Sequence, residues 1–240
     1  MGLVSSGNRK RIAVIGLGYV GLPTAVVFAY KGYDVIGVDL DSLKVESINR
    51  GVAYIKEPNL SKLLTDTISS KKFNASTSIE GAIRECDVAL ICVPTPVKKG
   101  IVDLSHIINV LQTISKNLRR DMLIVIESTV PPGTTCGLAK KILEDSGLRA
   151  ERDFYLAHVP ERIAPGKAIQ ELLYAPRVVG GVGPKSTKRA MEVYSKINTN
   201  LLATDATTAE FVKLIENTYR DMNIAFANLL ALIAERLGID

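Results

Sequence analysis

Residues 11–39, RIAVIGLGYVGLPTAVVFAYKGYDVIGVD, decide the fold of this chain. A short apolar run, Arg11–Ile15, stops at Gly16-Leu17-Gly18-Tyr19-Val20-Gly21, and a helical stretch follows through Ala29. A second apolar run, Asp34–Val38, closes on Asp39, 18 positions after Gly21. Gly-x-Gly-x-x-Gly alone is a weak signal, because many structural turns use glycine. Between a strand and a helix, with an acidic residue ending the next strand, it points to a dinucleotide site. Gly16 permits the tight turn, Gly18 lets backbone approach a pyrophosphate, and Gly21 lets the helix pack on the strand. Tyr19 and Val20 complete the same turn. The helix N-terminus supplies aligned N–H donors for phosphate oxygens. Asp39 would accept hydrogen bonds from ribose hydroxyls and repel a 2′-phosphate, so the expected cofactor is NAD rather than NADP.

Strand and helix alternate along the rest of the chain. Helices are expected at 42–50, Leu60–Ser69, 104–117, 134–144 and 185–197, and strands at Phe73–Ser76, 87–93, 123–127, 154–158, 177–180 and 200–203. Short apolar strands between helices imply an α/β fold, a Rossmann-type doubly wound and mostly parallel sheet followed by a long C-terminal helix. Residues 1–10 read as a flexible lead-in, 11–204 as the NAD-binding domain, and 205–240 as a connecting and dimerising helix.

Composition narrows the function classes. With 47% hydrophobic and 23% charged residues, the 240-residue chain is that of an ordinary globular protein. Its apolar runs are interrupted by charge or glycine, and its polar start lacks the apolar core of a signal peptide, so no membrane role is expected. Cys86, Cys92 and Cys136 are unevenly spaced and form neither a disulfide framework nor a metal pattern, which suits a reducing cytoplasm. Two histidines, His106 and His158, leave little room for a metal site, and none is expected. The net charge of +5 is scattered and only 5% of residues are aromatic, which argues against nucleic acid.

Four further segments carry candidate chemistry. Pro94-Thr95-Pro96 follows a buried strand, where ligands of open sheets bind; Thr95 would contact the cofactor there, and a purely structural turn is an equal alternative. In 127–133, ESTVPPG, Thr129 could position a water or a cofactor amide, although Ser and Thr before a helix often serve as caps. In 158–166, HVPERIAPG, Glu161 could act as a base or hold a water, and Arg162 could pair with Glu161 or meet an anionic substrate. In 207–228, Lys213, Glu216, Asn217 and Arg220 share one helix face, opposite Phe211, Ile215, Met222, Phe226 and Leu229. Asn is a poor helix former, so Asn217, Asn223 and Asn228 break the local rule of a solvated stripe. An ammonium and a carboxamide four residues apart, Lys213 and Asn217, could lie side by side over a reacting oxygen. The alternative is an ordinary amphipathic helix. The candidate cofactor set is Gly16, Gly18, Tyr19, Val20, Gly21, Asp39, Pro94, Thr95 and Thr129, and the candidate substrate set Glu161, Arg162, Lys213, Asn217 and Arg220. The apolar face, continued by Leu229, Leu232 and Ile233, is too extensive to leave wet, so a two-fold homodimer through this helix is expected.

In this order and spacing, GLGYVGLPTA, CVPTPV, ESTVPPGTT, PERIAPG and AEFVKLIENTYRDMNIAFAN resemble the UDP-glucose/GDP-mannose dehydrogenase family over nearly the whole chain. The resemblance implies oxidation of the C6 alcohol of a nucleotide sugar to a carboxylate, in two NAD-dependent hydride transfers, for polysaccharide precursors. By resemblance, Gly16, Gly18, Gly21 and Asp39 bind NAD, and Thr129, Glu161, Lys213 and Asn217 hold catalytic positions. UDP-glucose oxidisers typically carry a second Glu where this chain has Pro165. Pro-Glu-Arg-x-x-Pro-Gly is instead similar to the branch acting on UDP-N-acetylhexosamines, notably UDP-N-acetylmannosamine. The alternatives are UDP-glucose, a hydroxy-acid substrate, or a non-catalytic NAD-binding and dimerising module. Leu229 stands where many relatives have Glu, a change expected to touch the interface rather than the chemistry. Family members are longer, with a second domain whose nucleophilic Cys holds the aldehyde as a thiohemiacetal. The resemblance therefore implies that this chain is the N-terminal part, and that Cys86, Cys92 and Cys136 are structural.

Overall fold

The computed structural model describes residues 10–240, so the expected lead-in, except residue 10, lies outside the described residues. The chain runs β1 (Arg11–Ile15), α1 (Gly21–Tyr30), β2 (Asp34–Val38), α2 (Ser42–Asn49), α3 (Leu60–Ser69), β3 (Phe73–Ser76), α4 (Ile79–Glu85) and β4 (Val88–Ile91). A small hairpin, β5 (Val97–Lys98) and β6 (Ile101–Val102), precedes α5 (Ser105–Asn117) and β7 (Leu123–Ile126). A π-helical turn, Thr135–Ala139, runs into α6 (Lys140–Glu144), followed by β8 (Tyr155–His158), α7 (Ala168–Tyr174), β9 (Arg177–Gly181), α8 (Pro184–Tyr194), β10 (Leu201–Asp205) and α9 (Ala206–Leu237).

Eight strands form one sheet in the order β10-β9-β8-β7-β4-β1-β2-β3. The central strands β1, β2, β4 and β7 alternate between two buried faces, which is why they read as nearly continuous apolar runs. On one face Ile12 and Val14 pack with Val26 and Phe28 of α1, Leu60 and Leu64 of α3 and Val193 of α8. On the other, Ala13 and Ile15 pack with Ile83 of α4, Ile107 and Leu111 of α5 and Leu143 of α6. The order reverses between β1 and β4, leaving a crevice outside their carboxyl ends.

Several expected elements differ in detail. The strand expected at 87–93 is shorter, although Asp87 N and Cys92 N still donate to Arg11 O at 2.9 Å and Ile15 O at 2.8 Å. The helix expected at 134–144 opens as a π-helical turn rather than as α-helix. Helices α4 and α7 and the β5–β6 hairpin are absent from the sequence reading. Both helices have only seven residues, too few to show a 3.6-residue period.

Strand β9 pairs antiparallel with β8, and β10 is parallel to β9. The start of β9 therefore lies at the carboxyl end of β8. Helix α9 leaves the far end of β10 and runs back towards the crevice. Of its 32 residues, Ala206, Ala209, Glu210 and Lys213 are buried. At 1.5 Å per residue the helix spans about 48 Å, so most of it projects beyond the sheet. No helix among the described residues is long and apolar enough to cross a membrane.

Candidate active site

A cavity of about 620 Å³ opens at the carboxyl ends of the central strands, lined by Gly16, Gly18, Tyr19, Val20 and Asp39 from the first βαβ unit. Pro94, Thr95 and Thr129 line it from the loops after β4 and β7, and Glu161 from the loop after β8. Its size suits a cofactor. Gly16 has φ +91°, and a Cβ there would lie 2.6 Å from Cys92 O. A Cβ on Gly21 would overlap the Gly16 carbonyl, whereas Gly18 has open space before it. Among the described residues no side chain caps α1, and its first turn carries no acidic residue, so the positive end of its dipole, behind Tyr19 and Val20 on the cavity wall, is uncompensated. These are the features a pyrophosphate requires.

The Asp39 carboxylate is held in place at the cavity wall. Its Oδ2 accepts from Leu17 N at 3.0 Å and its Oδ1 from Asp41 N at 3.0 Å, while Lys44 Nζ stands 3.7 Å from Oδ1. Asp39→Ala is expected to weaken NAD about tenfold or more, the cost of losing a charged acceptor. NADP should weaken far less, because Lys44 would remain as the nearest charge. Titration of both cofactors checks this, and equal weakening would remove Asp39 from the site.

The loop after β7 is not arranged as expected for a helix cap. Ser128 Oγ donates to Ile91 O at 3.2 Å and Val93 O at 2.7 Å, and Thr95 Oγ1 donates to Thr129 O at 2.8 Å. These bonds lash the loops after β4 and β7 together. The cap comes from α9, where buried Glu210 accepts from Gly133 N at 2.6 Å, Thr135 N at 2.7 Å and Thr135 Oγ1 at 2.6 Å. A carboxylate at a helix start satisfies orphan donors and complements the helix dipole. Being 75 residues away, it leaves no local sequence signal.

At the cavity wall Lys213 Nζ meets Glu161 Oε1 at 2.7 Å, and Glu161 Oε2 accepts from Ile163 N at 2.7 Å. Lys213 is only 6% exposed, so it does not belong to a solvated stripe. Arg162 does not pair with Glu161; its guanidinium reaches Glu216 Oε1 at 2.7 Å and ties the loop to α9 a second time. Asn217, four residues after Lys213, is half-buried. Arg220 is exposed and lines a separate groove with Tyr219 and Asn223, away from the cavity.

The sequence reading missed a buried hub at the end of β7. Glu127 Oε1 accepts from Arg177 Nη2 at 3.0 Å and from Tyr194 Oη at 2.5 Å, and Oε2 from Cys92 Sγ at 3.3 Å. The only local hint is a carboxylate closing the apolar run LIVI. The antiparallel turn of β9 delivers Arg177 to that spot. Burial, then Glu127, pushes the Cys92 thiol well up, and burial pushes Cys86 to about 12, so neither is a ready nucleophile. Cys136 is exposed in the turn that opens into α6, and its Sγ lies 3.9 Å from Thr207 Oγ1.

His158 is fully buried, and neither ring nitrogen has a hydrogen-bond partner among the described residues. Burial, reinforced by Arg177, lowers its pKa from 6.5 to about 3. The unfolded chain therefore binds a proton that the folded one refuses. The stabilisation is complete above about pH 6.5 and falls as pH drops towards 3, by about 2–3 kcal/mol between pH 6.5 and 4.5. Urea midpoints at two pH values should show this loss in the wild type and a smaller one in His158→Gln.

Fold and cavity together define a dinucleotide-binding α/β protein with a lysine–carboxylate pair at the cavity wall. Residues 10–198 match the profile of the UDP-glucose/GDP-mannose dehydrogenase family, NAD binding domain, and residues 207–240 that of the family's central domain. The chain belongs to this family, and NAD is the cofactor of its matched domain. It is 45% identical over 231 residues to UDP-N-acetyl-D-mannosamine dehydrogenase of Pyrococcus horikoshii, covering 96% of this chain and 55% of that protein. The solved structure of the Pyrococcus horikoshii UDP-D-ManNAc dehydrogenase superposes with a TM-score of 0.91 at 44% identity, over 95% of this chain and 55% of that one. A ternary complex of GDP-mannose dehydrogenase from Pseudomonas aeruginosa gives 0.90 at 33% identity, over 96% and 54%. The chain thus spans about half the length of the relatives it matches.

Proposed function

We propose that this chain forms the NAD-binding part of a dehydrogenase that oxidises the C6 alcohol of a UDP-sugar to the uronic acid, supplying precursors for polysaccharide synthesis. UDP-N-acetylmannosamine is the first-choice substrate. Pro165 in the Pro-Glu-Arg-x-x-Pro-Gly segment favours an acetamido sugar over UDP-glucose, and the higher identity to the relatives named for that substrate agrees.

The observation that carries the reading is that Glu161, which lines the dinucleotide cavity, is paired with the buried Lys213 at 2.7 Å. Bound NAD would supply the hydride acceptor. Lys213 has three N–H donors and gives one to Glu161, which leaves others for a developing alkoxide. Glu161 keeps acceptor capacity on both oxygens for a proton or a held water. Thr129 lines the same cavity and would position that water, and Asn217 would add a carboxamide donor beside Lys213. Arg162 and Arg220 would serve the substrate's anionic part, Arg220 only once the groove on α9 is closed over.

The test is a chimera joining this chain to the remaining part of the Pyrococcus horikoshii relative, assayed with NAD and a panel of UDP-sugars. Two NADH per UDP-N-acetylmannosamine is the expected yield. One NADH with a stable aldehyde, or none with any UDP-sugar, would overturn the reading. The 240-residue chain alone is expected to bind NAD without releasing uronic acid, since no thiol in it is placed as a nucleophile.

We also propose a homodimer in the cytoplasm. On α9, Phe211, Ile215, Met222, Phe226, Leu229, Leu232 and Ile233 are each 45–67% exposed, an apolar face fit to bury against a second copy. Light scattering at high micromolar concentration should return the dimer mass, and a monomer would rule it out.

A further inference from the structure

Glu57 lies in the connection between α2 and α3, far in sequence from both cofactor turn and catalytic loop, yet it joins them. It is 7% exposed. Among the described residues no lysine, arginine or histidine forms a salt bridge with it. A carboxylate in such a place persists only if its hydrogen bonds are satisfied. Its Oε1 accepts from Gly166 N at 2.6 Å and from the Tyr19 hydroxyl, and its Oε2 accepts from Ala168 N at 3.1 Å. Gly166 N also points at Tyr19 Oη, 3.2 Å away. Three residues before Glu57, the Tyr54 hydroxyl donates to Leu17 O in the glycine turn. The 50–59 connection therefore grips the turn at two points and the end of the 160–168 loop at two more.

Both gripped segments face the cavity. Tyr19, in the glycine turn, lines it and is 38% exposed. The other segment carries Glu161, which lines the same cavity, and Arg162. A ligand that settles on the turn must fix the Tyr19 ring, and that ring ends on the carboxylate holding Gly166 and Ala168. We propose that Glu57 is a positioning residue that couples occupation of the cofactor cavity to the geometry of the loop bearing Glu161. Glu57 itself does not line the cavity. The inference rests on the cavity being the NAD site, as proposed above.

Hydrogen exchange at the Gly166 and Ala168 amides, with and without saturating NAD, tests the coupling in the wild-type chain and in Tyr19→Phe. Saturation is set by titrating each protein. In the wild type, NAD should slow exchange at both amides about fivefold or more, the lower range of ordinary site-to-site coupling. In Tyr19→Phe the ring stays and only the hydroxyl is lost. There the NAD effect should shrink below about twofold, and NAD affinity should fall by a comparable factor, because linkage is reciprocal. Glu57→Gln should behave alike, since its amide would place a donor against an N–H. A purely structural bond would speed exchange equally with and without NAD and leave the NAD effect intact. Equal NAD protection in wild type and Tyr19→Phe overturns the coupling. Absence of NAD binding to the wild type is a separate result and overturns the cofactor reading as well.

Discussion

Lys213→Ala, made in the chimera described above, is expected to lower kcat about a hundredfold or more, the usual cost of removing a group that meets a developing oxyanion. Lys213 is buried and faces Glu161 at 2.7 Å, so its charge acts where water does not screen it. Loss of the ammonium also leaves Glu161, among the described residues, with only the Ile163 amide as a partner. Asn217→Ala should lower kcat on a similar scale, and the double replacement should fall short of the product if both meet one oxygen. NAD affinity of the 240-residue chain should change little in Asn217→Ala, which sits outside the cavity lining. A drop of less than about threefold in kcat for Lys213→Ala would place it outside the transition-state contacts.

The second large effect is on stability. Glu127→Ala should destabilise the chain by about 3–5 kcal/mol, because it strands the buried Arg177 guanidinium and deprives Tyr194 of its acceptor. Arg177 is 2% exposed and Glu127 fully buried, so water cannot substitute for the missing partner. Urea unfolding should show a lower midpoint with an unchanged slope. Glu127→Gln combined with Arg177→Met should recover much of the loss, since replacing both charges removes the desolvation cost along with the attraction. A single-variant loss below about 1 kcal/mol would mean that the pair is hydrated in solution.

What was legible in the sequence was whatever is encoded locally. Arg11–Ile15, Asp34–Val38, Leu60–Ser69 and Phe73–Ser76 appear with the expected bounds, because apolar runs broken by glycine or capping residues carry their own period. The glycine turn was legible for the same reason: Gly16 and Gly21 are demanded by clashes within one βαβ unit and its immediate neighbour. The short α4 and α7 were not legible, since two turns hold too little pattern and are stabilised mainly by what they pack against.

The site divides along the same line. The sequence by itself determined the doubly wound class, the dinucleotide turn, and the presence of Thr129, Glu161, Lys213 and Asn217 in segments of unusual composition. Only the tertiary structure decided their partners. It set Lys213 against Glu161, sent Arg162 to Glu216 instead, used Glu210 to cap a turn 75 residues upstream, and placed Arg177 on Glu127 by reversing one strand. The physical reason is that periodicity and turn chemistry are properties of a few neighbouring residues. The pairing of a buried charge depends on which distant segment the fold brings within about 3 Å of it.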